Sequence, residues 1–189
     1  MEPICPTWED FQSFNGFVKH TPKILLSFFF VNPPQEWKKL MTNSSEALQR
    51  FTFTPRTVTL QPNREHSGFQ VMTARHLSHE TVSEFRERCA KQYDTPIFKT
   101  CQEFLENSPC KAEMGVDLRF KLYPPSLKVW NLECLGDPMS NAQKQERNIP
   151  GVTSPFLTIA SSGAPFALRT EKHNLGSIYY LHEGEPREW

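Results

Sequence analysis

The chain has 189 residues, room for one domain or one and a half. Hydrophobic content is 38%, much of it from 15 Phe, and 16 Pro against 8 Gly point to a loop-rich, irregular fold. Lys plus Arg equals Asp plus Glu at 21 each, so the formal charge is zero and nothing global steers the chain to nucleic acid or an anionic membrane.

Pro6-Thr7 opens the first predicted helix, with Thr7 as N-cap and Asp10 three residues on as an imperfect capping box. Phe11, Phe14, Phe17 and Val18 recur at helical spacing and form its core-facing side. The helix should end near Lys19 to Thr21, ahead of Pro22. Ile24 to Val31 reads as a buried strand of eight residues, far short of the roughly 20 that span a bilayer. Asn32-Pro33-Pro34 breaks it. Leu40 to Gly68 is polar and reads as a loop or linker with a short strand at Val58 to Leu60. Ser78 caps the next helix, which turns Val82, Phe85 and Cys89 inward and runs to about Lys91. Cys101 to Glu106 forms another short helix. Pro109 and Pro124-Pro125 bound irregular segments, and no internal repeat is visible.

The five cysteines are Cys5, Cys89, Cys101, Cys110 and Cys134, an odd number at wide spacings with no C-x-x-C. They read as reduced thiols rather than a disulfide frame or a zinc site, with a lone zinc ligand among them left open. No charged-then-apolar signal segment opens the chain. Composition therefore predicts a soluble, intracellular protein.

Two groups of motifs carry a resemblance. Pro6-Thr7-Trp8-Glu9-Asp10-Phe11 followed by Pro33-Pro34-Gln35-Glu36-Trp37-Lys38 resembles a JmjN segment, a P-T-x-E-E-F helix followed by a P-P-x-E-W-K strand. Met114-Gly115-Val116-Asp117, Trp130-Asn131-Leu132, Pro155-Phe156-Leu157-Thr158, Phe166 to Glu171 and Ser177 to Pro186 resemble the first half of a JmjC domain. From about residue 70 onward the match is nearly collinear, with one gap around Asp137 to Asn148 where Pro138 spoils a family helix. Together the two segments resemble the JmjN-bearing, Fe(II)- and 2-oxoglutarate-dependent histone lysine demethylases, nearest the branch acting on trimethylated lysine. The implied fold is α+β. A JmjN helix-and-strand unit packs on an incomplete jelly-roll JmjC barrel, a cupin-like double-stranded β-helix. The JmjN segment would be 1–45, a linker 46–76, and a helical connector with partial JmjC domain 77–189, its barrel portion starting near 112.

The resemblance also implies a site, and the site is altered. The family's metal pair is H-x-E or H-x-D on one strand face. Here Glu171 keeps the carboxylate and Arg169 stands in the histidine's place. A guanidinium stays protonated and offers donors only, whereas an iron ligand must offer a lone pair. The expected role of Arg169 is an ion pair with Glu171 two residues on; metal binding by Glu171 with His173 is the alternative. Of the co-substrate anchors, Phe166 is kept and Arg187 replaces a lysine with charge preserved, while Met114 and Tyr179 stand for a tyrosine and an asparagine. Losing buried polar contacts at those two would cost about 1–3 kcal/mol each. In the methyl-lysine pocket Phe156 keeps a ring and Thr158 does not, although aromatic walls suit a methylated ammonium. Asp117 stands where the family contacts the histone tail, or is a surface-turn residue.

The family's second metal histidine and its Cys-rich zinc site lie beyond the position matched by Trp189. The expectation is a chromatin-associated, nuclear, demethylase-like protein, catalytically inactive as this chain stands and binding neither Fe(II) nor 2-oxoglutarate. Its partners would be a histone tail or chromatin proteins. The alternatives are an active histone lysine demethylase if a longer product supplies the rest of the barrel, and a non-functional truncated copy, fragment or incomplete gene model. A half barrel would expose Phe156, Leu157, Ile159, Ile178 and Tyr180.

Overall fold

The computed structural model describes residues 2–21, 28–41, 45–63, 68–92, 100–106, 111–142, 149–166, 171 and 174–187. The fold is α+β, with antiparallel sheets and no closed barrel among the described residues.

The first expected helix is two pieces. Thr7 Oγ1 donates to Asp10 Oδ2 at 2.6 Å and accepts from the Asp10 N–H at 3.2 Å, so the local box forms and starts a 3₁₀ turn over Asp10–Gln12. Ser13 then sits extended at φ −139°, ψ 122°, and its Oγ accepts from the Gly16 N–H at 3.2 Å to cap α1 (Phe14–His20). A serine that can cap offers the backbone an alternative to continuing the turn. Phe11 and Phe17 are buried as expected.

Of the expected strand 24–31, residues 24–27 lie outside the described ones. Phe28 and Phe30 are 40% and 39% exposed, and Val31 makes only a single bridge to Ile4. The P-P-x-E-W-K stretch, expected as a strand, is helix α2 (Gln35–Met41). Two prolines just ahead of a helix lose no needed N–H, and Trp37 and Met41, four apart, bury one face.

The polar stretch expected as a loop carries α3 (Ser45–Gln49), β1 (Thr52–Phe53) and β2 (Arg56–Pro62), and β3 (Phe69–Arg75) follows. The strand expected at Val58 to Leu60 is the centre of β2, where those two residues are buried. Tertiary pairing lengthens it: β2 hydrogen-bonds β3 on one side and β5 (Lys111–Leu118) on the other, and β6 (Leu157–Ala160) closes the order β3-β2-β5-β6. β1 pairs separately with β4 (Glu80–Thr81). Thr81, rather than Ser78, caps α4 (Val82–Gln92). It exchanges hydrogen bonds with Glu84, Thr81 N–H to Glu84 Oε2 at 2.8 Å and Glu84 N–H to Thr81 Oγ1 at 3.2 Å. Val82, Phe85 and Cys89 are buried as expected, and burial pushes the Cys89 thiol up to about 11. α5 forms over Cys101–Glu106 as expected. Pro138 does not break a helix but begins one, α6 (Pro138–Ala142), with Asp137 Oδ1 accepting from the Met139 N–H at 2.9 Å.

An aromatic column ties the N-terminal segment to the rest. Phe11 stacks on Trp130 with centroids 4.4 Å apart and planes 4° from parallel, while Phe17 meets the same indole edge-on at 5.3 Å. Trp37 stands edge-on to Phe11 at 6.2 Å and to Tyr180 at 5.1 Å, and its Nε1 donates to the Val129 carbonyl at 2.8 Å. Leu157, Ile159 and Tyr180, expected exposed, are half-buried against this core; Phe156 and Ile178 stay 38% and 42% exposed.

Two polar knots hold the elements to one another. Arg88 of α4 grips Glu80 (Nε at 3.1 Å, NH2 at 2.6 Å) and Glu113 of β5 (NH1 at 3.0 Å, NH2 at 2.6 Å). The Glu113 side chain is 5% exposed and that of Arg88 36%. Near the C-terminus Glu183 accepts from Arg86 at 2.5 Å and from Gln49 at 3.1 Å. Burial alone would raise Glu183, but hydrogen bonds from Ser45 and Arg86 and the nearby cation outweigh it and hold it below the usual carboxylate value. Burial lowers His182 beside it.

Arg88→Ala should lower stability in urea by about 3 kcal/mol, since it strands a buried carboxylate whose lost partner was itself partly solvated. Arg50→Ala, which breaks the exposed Arg50–Glu46 pair, should change it by under about 0.5 kcal/mol. Acid should loosen the C-terminal knot. A His182 value below the ordinary 6.5 means that the unfolded chain binds more protons as pH falls from 6.5, so stability drops there. A Glu183 value below 4.5 means that its contribution is present above 4.5 and fades as pH falls through the folded value. Melting temperature against pH should therefore flatten below 6.5 in His182→Gln and below 4.5 in Glu183→Gln.

Candidate functional site

The positions singled out in the sequence fall into two places. Met114 and Asp117 lie on β5. Met114 is buried, paired across to Arg56 of β2 and Ala160 of β6, and presents a thioether with no donor. The register slips between Gly115 and Leu118, and Asp117 takes up the slack at φ 56°, exposed. A short polar side chain tolerates that left-handed backbone better than a bulky one. Thr158 lies in β6 between Leu157, which pairs with Leu118, and Ile159, which pairs with Gly115, so it stands opposite the bulge. Phe156 precedes it and packs under the turn at Gly151, where an added Cβ would come within 2.7 Å of the ring.

The other positions converge. Phe166 and Tyr179 meet edge-to-face, centroids 5.3 Å apart at 81°. The Arg187 guanidinium carbon sits 5.0 Å from the centroid of the Phe166 ring, a cation–π arrangement. Tyr179 Oη donates to Glu171 Oε1 at 2.7 Å. The chain thus links Arg187, Phe166, Tyr179 and Glu171 by three successive contacts. None of the four lies in a strand, although Glu171 was expected on a strand face. Arg169 and His173 lie outside the described residues. Around Glu171 the backbone turns: the Asn174 N–H donates to the Glu171 carbonyl at 3.2 Å, and Asn174 has φ 55°. The expected same-face placement of Arg169 with Glu171 lies outside the described residues.

The Tyr179–Glu171 bond was not foreseen. Its eight-residue separation crosses irregular backbone, where no periodicity tells which side chains meet. The same holds for the His182–Glu183 knot, whose partners on α3 and α4 lie 97 to 137 residues away.

These donors do not fit a three-ligand iron centre. Among the described residues no group of three His, Cys, Asp or Glu is arranged to hold a metal. Arg169 has no lone pair to give, and Glu171, the expected carboxylate ligand, accepts a hydrogen bond from a phenol. The arrangement offers instead an aromatic pair topped by a cation, with a carboxylate held at its far end.

No family model matches the chain. It is 30% identical over 201 residues to probable lysine-specific demethylase 4F of Homo sapiens, an alignment that covers 97% of this chain and 30% of that protein. It is 26% identical over 202 residues to lysine-specific demethylase 4D of Rattus norvegicus, covering 97% of this chain and 37% of that protein. It is 41% identical over 61 residues to lysine-specific demethylase ELF6 of Arabidopsis thaliana, 32% of this chain and 5% of that one. The chain spans about a third of the length of the first two relatives. No helix among the described residues is long and apolar enough to cross a membrane. Nearly the whole chain aligns: the chain is related to the jumonji-type lysine demethylases.

Proposed function

We propose that this chain is a non-catalytic relative of the JmjN/JmjC histone lysine demethylases, a nuclear chromatin protein that binds a histone tail or chromatin partners without demethylating them. The observation that carries the reading is the Tyr179–Glu171 hydrogen bond at 2.7 Å. Where the family resemblance places an asparagine beside the co-substrate, this chain has a longer phenol that reaches the surviving ligand carboxylate and donates to it. A carboxylate oxygen engaged by a phenol must give up that bond to ligate a metal.

The division into a JmjN segment and a partial JmjC domain fits the aromatic column. Phe11 and Trp37, from the two JmjN-like motifs, pack on Trp130 of the W-N-L motif and on Tyr180. That packing makes the N-terminal segment a structural brace for the strand-poor C-terminal part. In the co-substrate region, Arg187 over Phe166 retains a cation able to meet a carboxylate, while Met114 supplies no hydrogen bond. Asp117, Phe156 and Thr158 give the tail-binding side an exposed acid, one exposed ring and no tyrosine.

Calorimetry of the full chain with Fe(II) under nitrogen, or with Mn(II), should show no stoichiometric binding, and Arg169→His alone should not create it. A one-to-one site abolished by Glu171→Ala would overturn the reading. 2-Oxoglutarate followed by ligand-observed NMR should bind no tighter than millimolar, about −4 kcal/mol. Micromolar affinity lost in Arg187→Ala would return the chain to the enzyme class.

A further inference from the structure

The outer strand of the four-stranded sheet carries a pattern that the demethylase relationship does not explain. Among the described residues β3 pairs with β2 on one side only, and all seven of its residues are exposed. Edge strands of natural proteins are commonly blunted by lysine, proline or a bulge. β3 has none of these: its sequence is Phe69-Gln70-Val71-Met72-Thr73-Ala74-Arg75, and its pairing with β2 runs without a register slip from Arg56↔Arg75 to Pro62↔Phe69. Phe69, Val71 and Met72 are 40%, 52% and 50% exposed.

Alternation puts Phe69, Val71, Thr73 and Arg75 on one face with their partners Pro62, Leu60, Val58 and Arg56. That face runs from apolar at one end to doubly cationic at the other. Arg56 and Arg75 are directly opposite across the ladder, where like charges repel. Among the described residues neither guanidinium has a hydrogen bond or ion pair to an acid, in contrast to Arg86 and Arg88. Two adjacent guanidinium forks without an acid are suited to a carboxylate, which they can hold bidentately. A second copy of this chain does not supply one, since β3 contains no Asp or Glu. Antiparallel self-pairing would leave both arginine pairs unneutralised.

We propose that β3 is a docking edge for an extended acidic peptide segment, which adds antiparallel as the next strand of the sheet. Its main chain bonds the free edge, as in other strand-addition complexes. An Asp or Glu of the peptide faces Arg75 and is clamped by Arg75 and Arg56. Reading toward the peptide C-terminus, apolar side chains four and six positions later face Val71 and Phe69. The inference is independent of the reading of Glu171, and it selects an acidic segment where a basic one would be repelled.

The test uses the full chain and a fluorescein-labelled heptapeptide, Glu-Gln-Thr-Gln-Val-Gln-Leu, followed by anisotropy at low and high salt. Expected is salt-sensitive binding weakened at least tenfold when the peptide's Glu is replaced by Lys, or when the protein carries R75E or the pair R56Q and R75Q. R75E places opposite charges across the ladder and should melt no lower than the parent, so lost binding is not lost folding; circular dichroism of the glutamine double variant checks the same point. Backbone amide signals of β3, and not those of β6, should shift on titration. Equal affinity for the lysine peptide, indifference to both arginine variants, or shifts confined to β6 would overturn the proposal. So would concentration-dependent dimerisation through β3 that excludes the peptide.

Discussion

Trp130 lies at the centre of the fold. Its ring is covered on one face by Phe11 at 4.4 Å, and Phe14 and Phe17 abut it at 5.2 and 5.3 Å. Aromatic pairs of this kind add to what their buried area contributes. Trp130 sits at φ 50°, a backbone conformation that bulky residues seldom adopt, and among the described residues its buried Nε1 has no hydrogen-bond partner. Both features are unfavourable for an isolated turn and persist only where surrounding packing outweighs them. The packing comes from a segment more than a hundred residues earlier in the chain. The Trp130 turn therefore depends on the N-terminal helices, and through Trp37 that dependence extends to Tyr180, next to the residue that bonds Glu171.

The sheet is fixed by a different force. Glu113 is a charge on a strand whose surroundings exclude water, and it is tolerated because Arg88 meets both of its oxygens while Ser161 exchanges hydrogen bonds with its backbone, Oγ accepting at 2.9 Å and N–H donating at 2.8 Å. One helix is thereby pinned to one strand at one register. A buried ion pair of this kind adds little net stability over an apolar replacement, but breaking it is costly. The contrast with Arg56 and Arg75 on the opposite face is instructive. The same residue type is neutralised beside Glu113 and left beside its like at the Arg56–Arg75 pair.

Chemistry at the expected site is altered by substitution and then by geometry. Substitution removes a lone pair at Arg169 and a donor at Met114. Geometry engages what remains, since Tyr179 reaches Glu171 and Arg187 rests on Phe166. On the proposed reading, a metal and a dicarboxylate would have to displace these contacts.

By itself the sequence determined whatever depends on neighbours a few residues apart. Val82, Phe85 and Cys89 declared the inner face of α4 by helical spacing, Cys101 to Glu106 declared α5, and Thr7 with Asp10 declared a helical start. The motifs declared the relationship, because their residue types survive whatever the backbone does between them. The absent lone pair of Arg169 was equally plain, being a property of the side chain alone. Only the tertiary structure decided the rest. The polar stretch from Leu40 to Gly68 became β2 because β3 and β5 satisfied its backbone on both sides, a gain invisible to composition. Pro138 opened a helix rather than spoiling one, since the position of a proline relative to the first turn decides which it does. The meeting of Tyr179 with Glu171, and of Arg56 with Arg75, required chain paths and a strand register that no local pattern encodes.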